Sequence, residues 1–289
     1  MIIAIIIVLI IFIICIYYNN IEQFDNINNE YILSKNIYTY WDKPDNDIIN
    51  AHIETWKRNI PKDWTINFIT KDNVSEYVSK EFLNKYKKLD SVRFSDFLRV
   101  ELLSKNGGVW MDSGIIVING NFLNKYYEEM IANHYDITLY TLKKNATIAP
   151  YLENWFLMAP KNSKYITDLY KEFDRAYSMG FYLYMIMILI PSGVRLDNTL
   201  RYVSTYLMQH AIINYLLHCG NKYKINIKDS EFSMFQIQHQ MKWDNVKIIN
   251  FILDNEDWTN YDAIKLTGWT RKYINYKNKD RYIKKLNKL

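Results

Sequence analysis

Two rhythms of apolar and polar positions alternate along this chain. "KNIYTYW" alternates apolar and polar residues and is rich in aromatics, so it predicts a short strand, and "DKPDND" after it reads as a turn. "IINAHIETWKRN" then sets Ile49, Ile53 and Trp56 at helical spacing, and Pro61 closes it. "WTINFIT" returns to the period of two, and "KDNVSEYVSKEFLNKYKKL" reads as mostly helix. Strand, helix, strand, helix is the order of a parallel α/β sheet.

The next stretch, "SVRFSDFLRVELLSKNGGVWMDSG", carries the densest information. Asp90 or Ser91 caps a helix whose Phe94, Phe97, Leu98 and Leu102 share one face. Arg93, Asp96 and Arg99 step by three and form a separate polar stripe. Gly107 supplies a left-handed C-cap, "GVWM" is a short strand, and Asp112 falls at its C-terminal end. Open α/β sheets bind ligands outside such strand ends. Further on, "IIVIN", "DITLYTL" and Trp155–Met158 read as strands, while "GNFLNKYYEEMIA", Lys164–Met179 and Thr199–Leu217 read as helices. "VKIINFI" follows, and "DNEDWTNYDAIKLTGW" reads as a loop.

The N-terminal run "MIIAIIIVLIIFIICIYY" has no charge and no helix breaker. Eighteen helical residues rise about 27 Å, close to the hydrocarbon thickness, and no basic start or small-residue cleavage site marks a removable signal. The expectation is a transmembrane anchor over residues 1–18, a polar stem over 19–35 and a single domain over 36–289. That makes the chain a single-pass membrane protein in contact with lipid through its N-terminal helix. With no Lys or Arg before Lys35, the side of the membrane is not encoded. Phe181–Ile190 is apolar but too short to span.

Composition narrows the chemistry. Apolar residues make up 49% and charged residues 23%, which excludes a disordered chain, and the net charge of +5 is modest. The basic, aromatic tail allows a nucleic-acid surface, a solvated terminal helix or contact with anionic lipid headgroups, and with so modest a charge no nucleic-acid partner is expected. Cys15 and Cys219 make no internal disulfide and no zinc cluster. The five histidines form no metal pattern, and His210 and His218, in an apolar helical stretch, read as packed or hydrogen-bonded. No GxGxxG or GxxxxGK[ST] motif is present, which disfavours dinucleotide and P-loop chemistry. Taken alone, Asp112 can hold a hard cation, bridge it to phosphates, act as an acid or base, or cap a turn. Asp96 can accept from ribose hydroxyls or guanidinium groups, Arg99 can pair with Asp96 or a phosphate, and a solvated helix face explains the stripe equally well.

The residues Ser95, Asp96, Arg99, Leu102, Leu103, Gly107, Gly108, Trp110 and Asp112 resemble the core of GT-A glycosyltransferases with a DXD-type motif. The likeness is greatest to the capsular polysaccharide synthesis proteins. "NIYTYWDKP", "HIETWKRNIPKDWTINFI", "APYLENWFLMAPKNSKYI" and, more weakly, "IKLTGWT" agree with that family in order. The resemblance implies an α/β, GT-A-like (Rossmann-like) domain with a mixed central sheet. It also implies transfer of a sugar from a nucleotide-sugar donor to a glycan or other hydroxyl acceptor, with a retaining course. It implies Trp41 on the base, Asp96 on ribose, Arg99 and Trp110 at the donor, and Asn154 and Lys265 at the reacting groups. Asp112 would hold a Mn²⁺ or Mg²⁺ ion. The departure is Asp112-Ser113-Gly114, where relatives with the full motif carry a second acid. That gap motivates the alternative of a non-catalytic, membrane-anchored protein that binds nucleotide sugar or carbohydrate.

Overall fold

The computed structural model describes residues 30–142, 151–194, 207–218 and 222–289. The chain divides into two units, Met1–Ile32 and Leu33–Leu289, and the account below concerns the second. Its first strand, β1 (Asn36–Tyr40), is followed by a helix, Asp47–Asn59, and by β2 (Thr65–Ile69). The stretch expected to be one helix breaks into a 3₁₀ turn, Val74–Glu76, and a helix, Lys80–Tyr86, because the Ser79 side chain caps a new start at Phe82 N.

The helix Ser91–Asn106 starts where the Asp90 carboxylate accepts from Val92 N and Arg93 N, and it stops at Gly107, whose φ is +63°. Its Phe97 is fully buried between Tyr86, at 4.0 Å between ring centroids, and Phe173, at 4.3 Å. The stripe Arg93–Asp96–Arg99 is buried as well, so it is not the solvated face that its spacing allowed. Gly108, at φ +108°, begins β3 (Gly108–Met111), and a Cβ there would lie 2.5 Å from the Asn36 carbonyl oxygen. Only glycine lets this strand run so close to β1.

After β3 come β4 (Ile115–Val117), a helix, Asn121–Asn133, β5 (Ile137–Leu142) and β6 (Tyr151–Ala159). Helices Lys164–Met179 and Met208–His218 cover the sheet, with a short helix, Phe181–Tyr184, and a π turn, Met185–Leu189, between them. β7 (Ile225–Asp229), helices Gln236–Gln240 and Asn245–Asp254, β8 (Ala263–Lys265) and helices Gly268–Arg271 and Lys279–Leu286 complete the chain. The central sheet has the order β2-β1-β3-β6-β5-β7. β1 is parallel to β2 and β3, β6 is antiparallel to β3 and β5, and β7 is parallel to β5. The mixed α/β sheet is therefore the architecture of the domain. β4 and β8 form a separate antiparallel pair, with Ile115 opposite Lys265.

The expected N-terminal transmembrane helix, the single-pass location and the lipid contact built on it are corrected here. Among the described residues no helix is long and apolar enough to cross a membrane. The two sixteen-residue helices, Ser91–Asn106 and Lys164–Met179, both carry charged residues, and Phe181–Ile190 folds as short turns. Residues 1–18 and most of the stem lie outside the described residues, as do Cys15, Cys219 and the first part of Thr199–Leu217.

Candidate active site

β3 delivers Asp112 to the rim of the sheet. The Asp112 N–H donates to the Trp155 carbonyl at 2.9 Å, extending the ladder to β6, and Ile115 N–H returns to the Asp112 carbonyl at 3.1 Å. Asp112-Ser113-Gly114 is thus a tight turn between β3 and β4. The segment starting at Lys265 holds its first and third residues, and His52 holds the second. Lys265 Nζ donates to Asp112 Oδ2 at 2.7 Å. His52 Nδ1 lies 3.0 Å from the Ser113 carbonyl, and its Nε2 lies 2.8 Å from the Tyr282 hydroxyl. A carbonyl only accepts, so Nδ1 carries the proton and Nε2 accepts from Tyr282. Leu266 N–H donates to the Gly114 carbonyl at 2.8 Å.

The other oxygen of Asp112 is also engaged. Trp110 Nε1 donates to Oδ1 at 2.9 Å, and Arg99 Nη2 lies 3.5 Å from the same atom. Arg99 in turn reaches Asp96 Oδ1 at 3.0 Å and Gln209 Oε1 at 3.0 Å, and its guanidinium sits 5.1 Å from the Trp110 ring centroid. Arg93 Nη1 takes Asp96 Oδ2 at 3.2 Å. Asn154 Nδ2 donates to Gln209 Oε1 at 2.7 Å, and Gln209 Nε2 donates to the Asp96 carbonyl at 3.0 Å. Burial pushes the Asp112 carboxyl up, but Lys265 and Arg99, with the bonds from Lys265 and Trp110, outweigh it and hold it at about 2. Burial raises the Asp96 carboxyl against the pull of Arg99 and Arg93, and it lowers the Lys265 ammonium against the pull of Asp112.

The residues singled out in the sequence therefore gather at one rim, though not all face outward. Asp96 and Arg99 are buried, with 5% of each side chain exposed, whereas 29% of the Asp112 side chain is exposed. Asp96 has both oxygens on arginines, so it braces those arginines instead of presenting an open acceptor. Trp110 is buried and supports Asp112 from beneath. Asn154 is half-buried, and Trp155 is core, stacked on Tyr140 at 4.8 Å between centroids. Trp41 follows β1. Tyr38 pairs with Trp110, and carrying that register forward sets Tyr40 level with Asp112, so Trp41 shares the rim. Its Nε1 is buried with no hydrogen-bond partner among the described residues, and the Arg271 guanidinium lies 5.4 Å from its ring centroid.

Gln209, Arg271 and the Glu153–His210 contact at 3.6 Å went unread in the sequence as parts of the site. Gln209 had a signal, a polar side chain inside an apolar helical run that needs a partner once buried. Arg271 had none beyond its place after "LTGW".

The donor set does not fit the expected divalent ion. Both oxygens of Asp112 are taken, one of them by an ammonium. Among the described residues no three His, Cys, Asp or Glu side chains converge. Asp257 accepts from its own loop, at Thr259 N and Oγ1. Asp262 lines a surface cavity with Asn119, Phe122, Lys125 and Tyr126 at the opposite end of the β4–β8 pair.

The family model described as capsular polysaccharide synthesis protein matches residues 11–252. Among curated proteins nothing matches significantly. Distant likenesses among solved structures include the PaToxG glycosyltransferase, at 14% identity over 88% of this chain and 86% of that one, TM-score 0.35. The glycosyltransferase GlyE of Streptococcus pneumoniae TIGR4 is 12% identical over 81% of this chain and 55% of that one, TM-score 0.42. A glycosyltransferase involved in glycosylation of the major capsid of PBCV-1 is 9% identical over 88% and 98%, TM-score 0.38. With the family model spanning most of its length, the chain belongs to the capsular polysaccharide synthesis proteins and, with them, to the glycosyltransferases.

Proposed function

We propose that this enzyme transfers a sugar from a nucleoside diphosphate sugar to a hydroxyl group of a glycan acceptor, with retention at the anomeric carbon. The observation that carries the reading is the cationic rim. Arg99 and Lys265 flank Asp112 at the C-terminal ends of parallel strands β1 and β3, and Arg271, against the same turn, lies 5.4 Å from the Trp41 ring centroid. Flat aromatic faces suit a nucleobase, and fixed cations suit a diphosphate.

In the transfer, the bond between the anomeric carbon and the diphosphate oxygen breaks and its electron pair leaves with the diphosphate. The acceptor oxygen bonds to the same carbon, and its proton passes to the departing phosphate. The acids at the rim favour that route over a protein base. Asp112 is held at about 2, and Asp96 is locked between two guanidinium groups. Asn154 spends its amide N–H on Gln209, which leaves its Oδ1 to accept from a sugar hydroxyl.

The test is a panel of UDP-, GDP- and ADP-sugars offered to the full chain with glycan acceptors, run in EDTA and again with Mn²⁺. The expected result is nucleoside diphosphate released from at least one donor and a product anomer matching that donor by NMR. No release above background from any donor refutes the transfer, and an inverted product refutes retention alone.

A further inference from the structure

The place of the second acid is filled by a cation. A Cβ on Gly114 would lie 2.1 Å from Arg271 Nη1 and 2.7 Å from the Leu266 carbonyl oxygen. Arg271 is fixed there by donating from Nη1 to that same carbonyl at 2.7 Å. A carboxylate at this position has no room, and a guanidinium stands where its negative charge would be. On the other side of Asp112, the Lys265 ammonium is buried at 2.7 Å from Oδ2 and lies 5.9 Å from the Trp155 ring centroid. An ammonium carries three donors. Asp112 is the only hydrogen-bond acceptor that the Lys265 ammonium reaches among the described residues, so two donors are left for another anionic oxygen.

The charges around the turn point the same way. Asp96, Asp112 and Glu153 stand against Arg93, Arg99, Lys265 and Arg271, a formal excess of one positive charge before His210 is considered. Such a rim repels a divalent cation and attracts a polyanion.

Resting on the transfer reading above, we propose that Lys265, with Arg271 beside it, takes the part that a divalent ion plays in a two-acid site. Lys265 binds the diphosphate and stabilises the negative charge it acquires as the anomeric bond breaks, and Asp112 positions that ammonium. The electron pair released with the diphosphate is met by a fixed protein cation, and no ion has to be loaded first.

Calorimetry of UDP, GDP and inorganic pyrophosphate binding to the full chain tests this apart from activity. In EDTA at least one of them is expected to bind, and saturating Mn²⁺ is expected to change that affinity by less than about threefold, well under the effect of a metal bridging two phosphates. Lys265→Met keeps the length and removes the charge, and is expected to weaken binding tenfold or more, while Lys265→Arg retains most of it. Binding that requires Mn²⁺, or a folded Lys265→Met protein that binds as the wild type does, overturns the proposal. The wild-type comparison in EDTA decides it even if the methionine variant fails to fold. The two readings separate cleanly. Binding in EDTA without turnover of any donor sinks the transfer and upholds the cation site, whereas turnover only with Mn²⁺ does the reverse.

Discussion

Mild acid should destabilise this fold through one buried histidine. His52 is fully buried on the helix Asp47–Asn59, with Nδ1–H on the Ser113 carbonyl and Nε2 on the Tyr282 hydroxyl. Burial pushes its pKa down to about 3; the Ser113 carbonyl opposes that, and the nearby Arg271 and Lys265 charges reinforce it. In the unfolded chain the ring titrates near 6.5. Between those values the unfolded chain binds a proton that the folded chain does not, so stability is full above about 6.5 and falls with pH. The slope is about 1.4 kcal/mol per unit, so a drop from pH 7.5 to 5.0 removes about 2 kcal/mol. The Asp112 carboxylate, held at about 2, adds its loss only below the ordinary carboxylate range, so it does not contaminate this window. Urea unfolding at pH 7.5, 6.5, 5.5 and 5.0 measures the effect, with His52→Gln as the non-titrating control. Asp96, whose carboxyl burial raises, opposes the histidine toward acid, so the histidine's share is read as wild type minus His52→Gln; a difference flat to within about 0.5 kcal/mol across that range, against an expected 2 kcal/mol, would refute the reasoning.

Two other substitutions bear on the turn between sheet and site. Gly108→Val puts a branched Cβ where φ is +108° and the Asn36 carbonyl oxygen is 2.5 Å away, so a loss of about 2 kcal/mol or more is expected in thermal or urea melts; an unchanged melting curve would show that the strand can shift. Asp112→Asn keeps the shape but removes the counter-charge that positions Lys265. Turnover should fall roughly 10²-fold while UDP binding in EDTA does not weaken, and a variant that keeps a third or more of its activity would remove Asp112 from the mechanism.

How much of this was legible in the sequence follows from how local each signal is. The helix Ser91–Asn106 was readable because Asp90, the apolar spacing of Phe94, Phe97 and Leu102, and Gly107 all lie within one segment and agree. The burial of Arg93, Asp96 and Arg99 was not readable, because it depends on Gln209 and Asn154, which arrive from Met208–His218 and β6. β8 is three residues long, too short to show a period, and it is a strand only because β4 lies beside it. β7, "INIKD", pairs with β5 alone at the sheet's edge and alternates too weakly to be separated from loop. Lys265 could be singled out only through the likeness of "IKLTGWT" to a known family, since nothing in its spacing ties it to an aspartate more than 150 residues upstream.

The same long-range contacts explain why Asp112-Ser113-Gly114 departs from a two-acid pattern at its third residue. The segment Lys265–Arg271 docks on all of that turn except Ser113, which His52 and Tyr282 hold from the other side. Leu266 supplies both halves of the clamp. Its N–H binds the Gly114 carbonyl, and its own carbonyl receives Arg271 and lies 2.7 Å from where a Cβ on Gly114 would be. An aspartate at 114 would need the volume now filled by that carbonyl and the guanidinium, so it would force Leu266 away and draw Lys265, one residue before it, off Asp112. A second acid and the Lys265–Asp112 pair are alternatives in this backbone.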